Sequence, residues 1–339
     1  MRCLGKGEKG VGDRIEGKNM KKPIRLRDFV RVGNFYFSVL GYKNDEYVKC
    51  FLRYVPDEKG DRIKDGKRFR KLIHDEAVSF AVKTQMGYYD EGIFKVPLKD
   101  INEVFKPEER LNEALEYEEV KKVVEFFNTI PLTHMGVTGS RLIGLIGEES
   151  DVDFVMYGKW WFEGRERIRK GIVRKKISEP SRDMWEFIYK KRKVNIPYDV
   201  FLAHERRKYH RAVLGETYFD LLYVRDYPEL GRKIPEDKGI KLGSRIVKAK
   251  VVEDSFIFDY PAYYKIKHEE IKAVLSFTHT YIGQGFKGET IEAKGDLEEI
   301  NGEKYLVVGS KREVEDEYIV SVDLIEKMRL KKEFDRWKN

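Results

Sequence analysis

"GSRLIGLIGEESDVDFVMYG", residues 139–158, places two aspartates, Asp151 and Asp153, one residue apart at the head of an otherwise apolar run. Side chains alternate across a strand, so Asp151, Asp153, Val155 and Tyr157 share one face and Val152, Phe154 and Met156 the other. The apolar face suits packing against helices. The acidic face carries two carboxylates about 6–7 Å apart along the strand, from a rise of ~3.3 Å per residue. Like charges that close repel unless a cation lies between them. Oxygen donors with no Cys or His among them favour Mg²⁺ or Mn²⁺.

Upstream, a strand that breaks at Gly139 and enters a helix at Ser140 offers free backbone N–H groups and a hydroxyl. That combination suits the terminal phosphates of a nucleotide. Arg141, directly after Ser140, adds a cation within reach of the same phosphates. Metal-binding carboxylates beside a phosphate cradle form the outline of a phosphoryl- or nucleotidyl-transfer site.

Moving outward, residues 108–128, "EERLNEALEYEEVKKVVEFFN", space Leu111, Leu115, Val120, Val123, Val124 and Phe127 as a helix that ends before Pro131. "LTHMGVTGS" is a short strand running into a glycine turn. Beyond the acidic strand, a stretch rich in Arg and Lys over roughly 161–193 has helical character and Pro197 interrupts it. "YDVFLAHERRKYHRAV" then predicts a helix, and "ETYFDLLYVRD" a strand after Gly215. These elements form a core over residues 108–230.

The flanks differ in character. Residues 1–19, rich in Gly and charge, predict a disordered tail, and Met20 would serve equally well as a start. Residues 20–107 alternate aromatic and β-branched side chains, with one helix at "DEAVSFAVKTQ", and predict a β-rich domain. Residues 231–339 carry short alternating strands between Gly turns and end in the helical stretch "DLIEKMRLKKEFDRWK". That spacing predicts a small β-barrel-like domain with a terminal helix. The expected fold is therefore α+β: a mixed sheet with flanking helices between two β-rich domains.

Composition narrows the setting. The chain has 339 residues, 37% of them charged, and only two glutamines, Gln85 and Gln284. Abundant Lys, Arg and Glu with few amides points to a thermophile. The net charge of +8 suits a phosphate-rich partner. Two cysteines in unrelated contexts give no disulfide framework, and no apolar run reaches the ~20 residues of a membrane span, so a cytoplasmic address is expected.

"TGS…DVDFVMYG" resembles the Gly-Ser, Asp-x-Asp signature of the DNA polymerase beta nucleotidyltransferase superfamily. The superfamily resemblance covers the core, and the overall layout is similar to uncharacterised archaeal predicted nucleotidyltransferases. It implies a third carboxylate on a neighbouring strand, which completes the metal site and takes the proton of the acceptor hydroxyl. Two positions qualify. Asp220 lies inside the strand-like "YFDLLYV"; Asp199, just after Pro197, is equally explained as helix-start chemistry. Asp220 is favoured.

Between them, "HERRKYHR" (204–211) is either a solvated helix face or a source of cations for the triphosphate, with Arg207 and Lys208 the best candidates. His204 and His210 are not expected to bind metal. Trp160, Trp161 and the tyrosines at 260, 263 and 264 are better explained by packing than by base stacking. "GQGFKGE" (283–289) lacks the context and ending of a P-loop.

The expected activity is metal-dependent transfer of a nucleoside monophosphate from a nucleoside triphosphate, with ATP the expected donor, to an acceptor hydroxyl. Asp151, Asp153 and Asp220 would bind metal; Gly139, Ser140, Arg141, Arg207 and Lys208 would bind the nucleotide. RNA is the expected acceptor, from charge and the small β modules. Two other readings are an enzyme that adenylates protein or a small molecule, and a nucleic-acid-binding protein on an inactive scaffold. The intact acids count against the last.

Overall fold

A computed structural model describes residues 22–90, 92–147, 151–309 and 316–338. The expected tail, residues 1–19, lies outside them. The first strands are β1 (Phe29–Val32), β2 (Phe35–Val39), β3 (Tyr47–Pro56), β4 (Arg62–Lys64) and β5 (Lys67–Lys71), followed by helix α1 (His74–Lys83) and strands β6 (Tyr89–Asp90), β7 (Ile93–Pro97) and β8 (Glu103–Phe105). They form one antiparallel sheet along the path β4-β5-β3-β2-β1-β8, with β7 added beside β3. Asp65 and Gly66 both take positive φ in the two-residue turn joining β4 to β5. Asp-Gly favours this turn because its twist matches that of the strands.

The middle of the chain holds α2 (Leu111–Ala114), α3 (Glu118–Phe126), β9 (Met135–Val137), α4 (Ser140–Ile143), β10 (Val152–Tyr157), α5 (Lys159–Val173), α6 (Arg182–Lys191), α7 (Tyr198–Lys208), β11 (Arg211–Leu214) and β12 (Thr217–Val224). The sheet runs β11-β12-β10-β9, and only β10 and β12 are parallel. Helical spacing over 108–128 is thus divided between α2 and α3, because Tyr117 adopts extended backbone as the N-cap of α3. The basic stretch 161–193 is likewise divided: α5 stops, Ser178 bridges to Val213, and α6 begins behind its N-cap Ser181. The helix expected over 198–213 ends at Lys208, where Tyr209 turns left-handed and β11 starts.

The last part comprises β13 (Ile240–Phe256), β14 (Ala262–Lys267), β15 (Ile271–Ser276), β16 (Thr290–Ile300), β17 (Glu303–Val308), β18 (Tyr318–Ser321), α8 (Val322–Lys327) and α9 (Lys331–Lys338). The terminal helical stretch is two helices, broken at the positive φ of Arg329. β13 pairs with both β14 and β16, so the pairings β13-β14-β15-β17-β16 return to β13, and β18 extends from β16.

Packing ties these parts together. The apolar face of β10 sits under Phe127, whose ring stacks on Phe154 at 5.5 Å between centroids. The same core continues through buried Trp161 to Phe258, 4.4 Å away, and into the C-terminal strands. A second cluster joins Tyr36, Tyr54 and Phe69 of the N-terminal sheet to Leu142, Ile143 and Leu145 around α4. The N-terminal sheet therefore lies against the turn that follows Gly139.

Candidate active site

Asp153 is the second residue of β10 and Asp220 the fourth of β12, and the parallel register pairs them directly. Asp151 lies one residue before β10. One carboxylate oxygen from each lies within 4.8 Å of the others, the spacing a cation could bridge. Burial, together with Asp151 and Asp220, raises the Asp153 carboxyl to about 6. Asp220 is held from one side: it accepts from the Tyr218 hydroxyl at 2.9 Å and pairs with Arg211 Nε at 2.7 Å. Asp199 instead sits exposed in the first turn of α7, where a carboxylate favours the helix N-terminus.

Gly139 comes close to the acids. Its φ is +72°, and a Cβ built there would lie 2.7 Å from Asp153 Oδ2. Only glycine meets both demands without strain. The expected helix at Ser140 is a single turn, α4, closed by Leu145 N–H on the Ser140 carbonyl. Its dipole is correspondingly slight, so a long helix is not what the turn offers an anion. Two cations of the N-terminal sheet brace its far end: Lys64 Nζ donates to the Ile143 carbonyl at 2.7 Å and Arg62 to that of Leu145 at 3.2 Å.

Three expected phosphate ligands are engaged elsewhere. Arg141 is buried, donates to the Asp151 carbonyl at 2.6 Å and pairs with Glu119, so it secures the backbone that carries Asp151. Arg207 pairs with Glu289 at 2.8 Å and donates to the Gln284 carbonyl, which fastens α7 to the loop before β16. Lys208 is fully buried on Glu205. Glu205 also pairs with Arg211; although burial pushes its carboxyl up, Lys208 and Arg211 hold it at about 2. The run "HERRKYHR" is therefore in large part a buried network that positions Arg211 against Asp220, with Arg206 on its exposed side against Glu179. His204 is buried as well: its Nδ1 meets the Val200 carbonyl and its Nε2 accepts from the Ser321 amide. Burial lowers it to about 3, which keeps the ring neutral.

Two cations at the site come from outside the core. Lys71 ends β5 directly across from Tyr54, so the two share a face of the sheet. Tyr54 packs with Leu142, Ile143 and Leu145, which aims that face at the Gly139 turn. Lys71 makes no hydrogen bond or ion pair among the described residues, and its ammonium lies in the field of Asp153 and Asp151. Burial and then Arg53 lower its proton affinity. Arg27 takes φ +73°, uncommon outside glycine. Its carbonyl accepts from Thr138 and its guanidinium meets His279 Nε2 at 2.8 Å. Burial lowers its pKa, whereas Asp153 raises it. Neither residue belongs to a local motif, and both reach the acids only through tertiary packing.

The Nucleotidyltransferase domain family matches residues 117–210. A protein of Methanocaldococcus jannaschii, "Uncharacterized protein MJ1086", is 36% identical over 336 residues, covering 87% of this chain and 98% of that protein. The chain belongs to the nucleotidyltransferase family. This nucleotidyltransferase is thus a transferase of nucleotidyl groups that takes a nucleotide substrate. The matched stretch contains Gly139, Ser140, Asp151 and Asp153 and stops before Asp220, so the third acid rests on strand register. No solved structure matches. No helix among the described residues is long and apolar enough to cross a membrane.

Proposed function

We propose that this nucleotidyltransferase transfers a nucleoside monophosphate from a nucleoside triphosphate to a hydroxyl of RNA, using a divalent cation held by Asp151, Asp153 and Asp220. The observation that carries the reading is the convergence of three carboxylates within 4.8 Å with no His or Cys among them. Such a set suits Mg²⁺ or Mn²⁺. Held there, the cation would supply charge neutralisation at the α-phosphate and acidify the acceptor hydroxyl.

The chain's own groups do the rest. Amide groups after Gly139, the Ser140 hydroxyl and the Lys71 ammonium bind the outer phosphates and stabilise charge on the departing pyrophosphate. Arg211 and Tyr218 fix Asp220 so that it faces the acceptor. The acceptor oxygen bonds to the α-phosphorus, the bond from that phosphorus to the bridging oxygen breaks, and pyrophosphate leaves. The acceptor's proton passes to Asp220.

An RNA acceptor is supported by charge and by the C-terminal strands. Their closed pairing is of the kind through which small five-stranded barrels bind oligonucleotides. On its outer surface exposed Lys250 stands directly opposite exposed Lys267. Like charges so paired are unfavourable until an anion joins them.

Pyrophosphate release from each ribonucleoside triphosphate, with Mn²⁺ and with or without total RNA, tests the reading. Release should require RNA and vanish in Asp151→Asn/Asp153→Asn. Release without RNA transfers the assignment to protein or small acceptors. RNA affinity should fall steeply with salt through counterion release; a flat dependence removes RNA as acceptor.

A further inference from the structure

Helix α6 presents Met184, Phe187, Ile188 and Lys191 at i, i+3, i+4 and i+7, which places them on one face. All four line a cleft of ≈ 590 Å³ whose far wall includes Asp151 and Asp220. That volume lies within the ~300–1,000 Å³ typical of small-molecule sites. Ile188 leans on the core, whereas Phe187 beside it is not needed for packing. Trp185 and Tyr189 secure its other side, Trp185 2% exposed with its ring 6.5 Å from Phe201 and Tyr189 with its hydroxyl on the Ile196 carbonyl at 2.8 Å. Phe187, by contrast, is 63% exposed. Lys191 Nζ stands 5.4 Å from its ring centroid, which leaves the ring at the junction of an apolar floor and a cationic rim.

We propose that this face of α6 is the platform for the nucleobase of the incoming nucleoside triphosphate, with Phe187 as the stacking residue. The inference rests on the nucleotidyl-transfer reading above. Its polarity follows from what surrounds the acids. The N-terminal sheet brings Lys71 and the Gly139 turn to one side of Asp153, where outer phosphates fit. The α6 cleft opens on the Asp220 side and offers an aromatic ring, two aliphatic side chains and the cations Lys191 and Arg192. A triphosphate whose α-phosphorus sits at the acids then extends its phosphates towards Lys71 and its base towards Phe187. Met184, Phe187 and Ile188 carry no hydrogen-bond donor, so they read the area of the base rather than its edge. Purines should bind more tightly than pyrimidines.

Binding of ATP and of inorganic tripolyphosphate to the full chain with Mn²⁺, measured calorimetrically, tests this. Phe187→Ala should weaken ATP by roughly 5- to 150-fold, the range for losing one base–aromatic stack, and leave tripolyphosphate unchanged. Phe187→Trp should retain ATP affinity, with indole fluorescence quenched by ATP and not by tripolyphosphate. Unchanged ATP affinity in Phe187→Ala, while wild-type pyrophosphate release still depends on Asp153, would overturn the platform and leave the function standing. Equal loss of ATP and tripolyphosphate would overturn it too, since Phe187 would then only support the fold. Loss of RNA binding alone would assign the face to the acceptor. Absence of ATP binding in the wild type would remove both readings together.

Discussion

Asp153→Asn exchanges a carboxylate for an amide of nearly the same shape inside a cluster of three acids. Burial and the two neighbouring aspartates raise the Asp153 carboxyl from 3.8 to about 6. The folded protein therefore holds this proton more tightly than the unfolded chain. Stability of the metal-free wild type should fall as pH rises from about 4 to about 6 and remain at the lower level above that. Roughly a hundredfold change in proton affinity corresponds to about 3 kcal/mol, at ~1.36 kcal/mol per tenfold. An amide does not ionise, so the variant should exceed the wild type by up to about that amount at pH 7 and by almost nothing at pH 4. Mn²⁺ should reverse the order, because a cation that binds only the folded state stabilises it and the variant lacks a ligand. Urea midpoints at both pH values, in EDTA and in Mn²⁺, measure all four terms. A variant less stable than the wild type at pH 7 in EDTA would refute the reasoning: Arg27 and Lys71 would already neutralise Asp153, and the acids would have no need of a cation.

Asp220→Asn should abolish pyrophosphate release while largely sparing nucleotide binding, and Asp199→Asn should leave turnover near wild type; the reverse pattern would return the third acid to α7. Lys71→Met should weaken triphosphate affinity by about 10- to 100-fold, the range for a charge-assisted hydrogen bond, with an unchanged melting temperature; intact affinity would remove Lys71 from the phosphate site. Lys208→Met should cost about 3–5 kcal/mol of stability, since it leaves Glu205 short of a buried partner; a soluble, stable variant with impaired nucleotide binding would restore Lys208 as a phosphate ligand. Gly139→Ala should reduce turnover sharply, because its Cβ would press on Asp153 Oδ2, and a wild-type rate would contradict the close approach.

Asp151 and Asp153 were legible because a two-residue period and repelling charges are local properties. Asp220 was legible as a candidate, since an acid inside an apolar strand asks for an explanation whereas Asp199 after a proline does not. The fate of Arg207 and Lys208 was not legible. A run of cations looks the same whether it meets water, phosphate or buried carboxylates, and the choice is made by what packs on it. Glu205 lay within the same run and was the one local hint of internal neutralisation. The divisions at Tyr117 and around Ser178 were hidden because helical spacing continues across both breaks. Lys71 and Arg27 were beyond reach for a simpler reason: a residue more than 60 positions from the acids carries no mark of them.

Arg27 sits between the Thr138 hydroxyl on one side and the imidazole of His279 on the other. During synthesis the ribosome releases Arg27 early and His279 only after another 252 residues. Until that histidine emerges, the nascent chain already owns all three aspartates but lacks the anchor for the cation beside them. A chain that stops before His279 would thus carry the three aspartates without the imidazole that meets the Arg27 guanidinium.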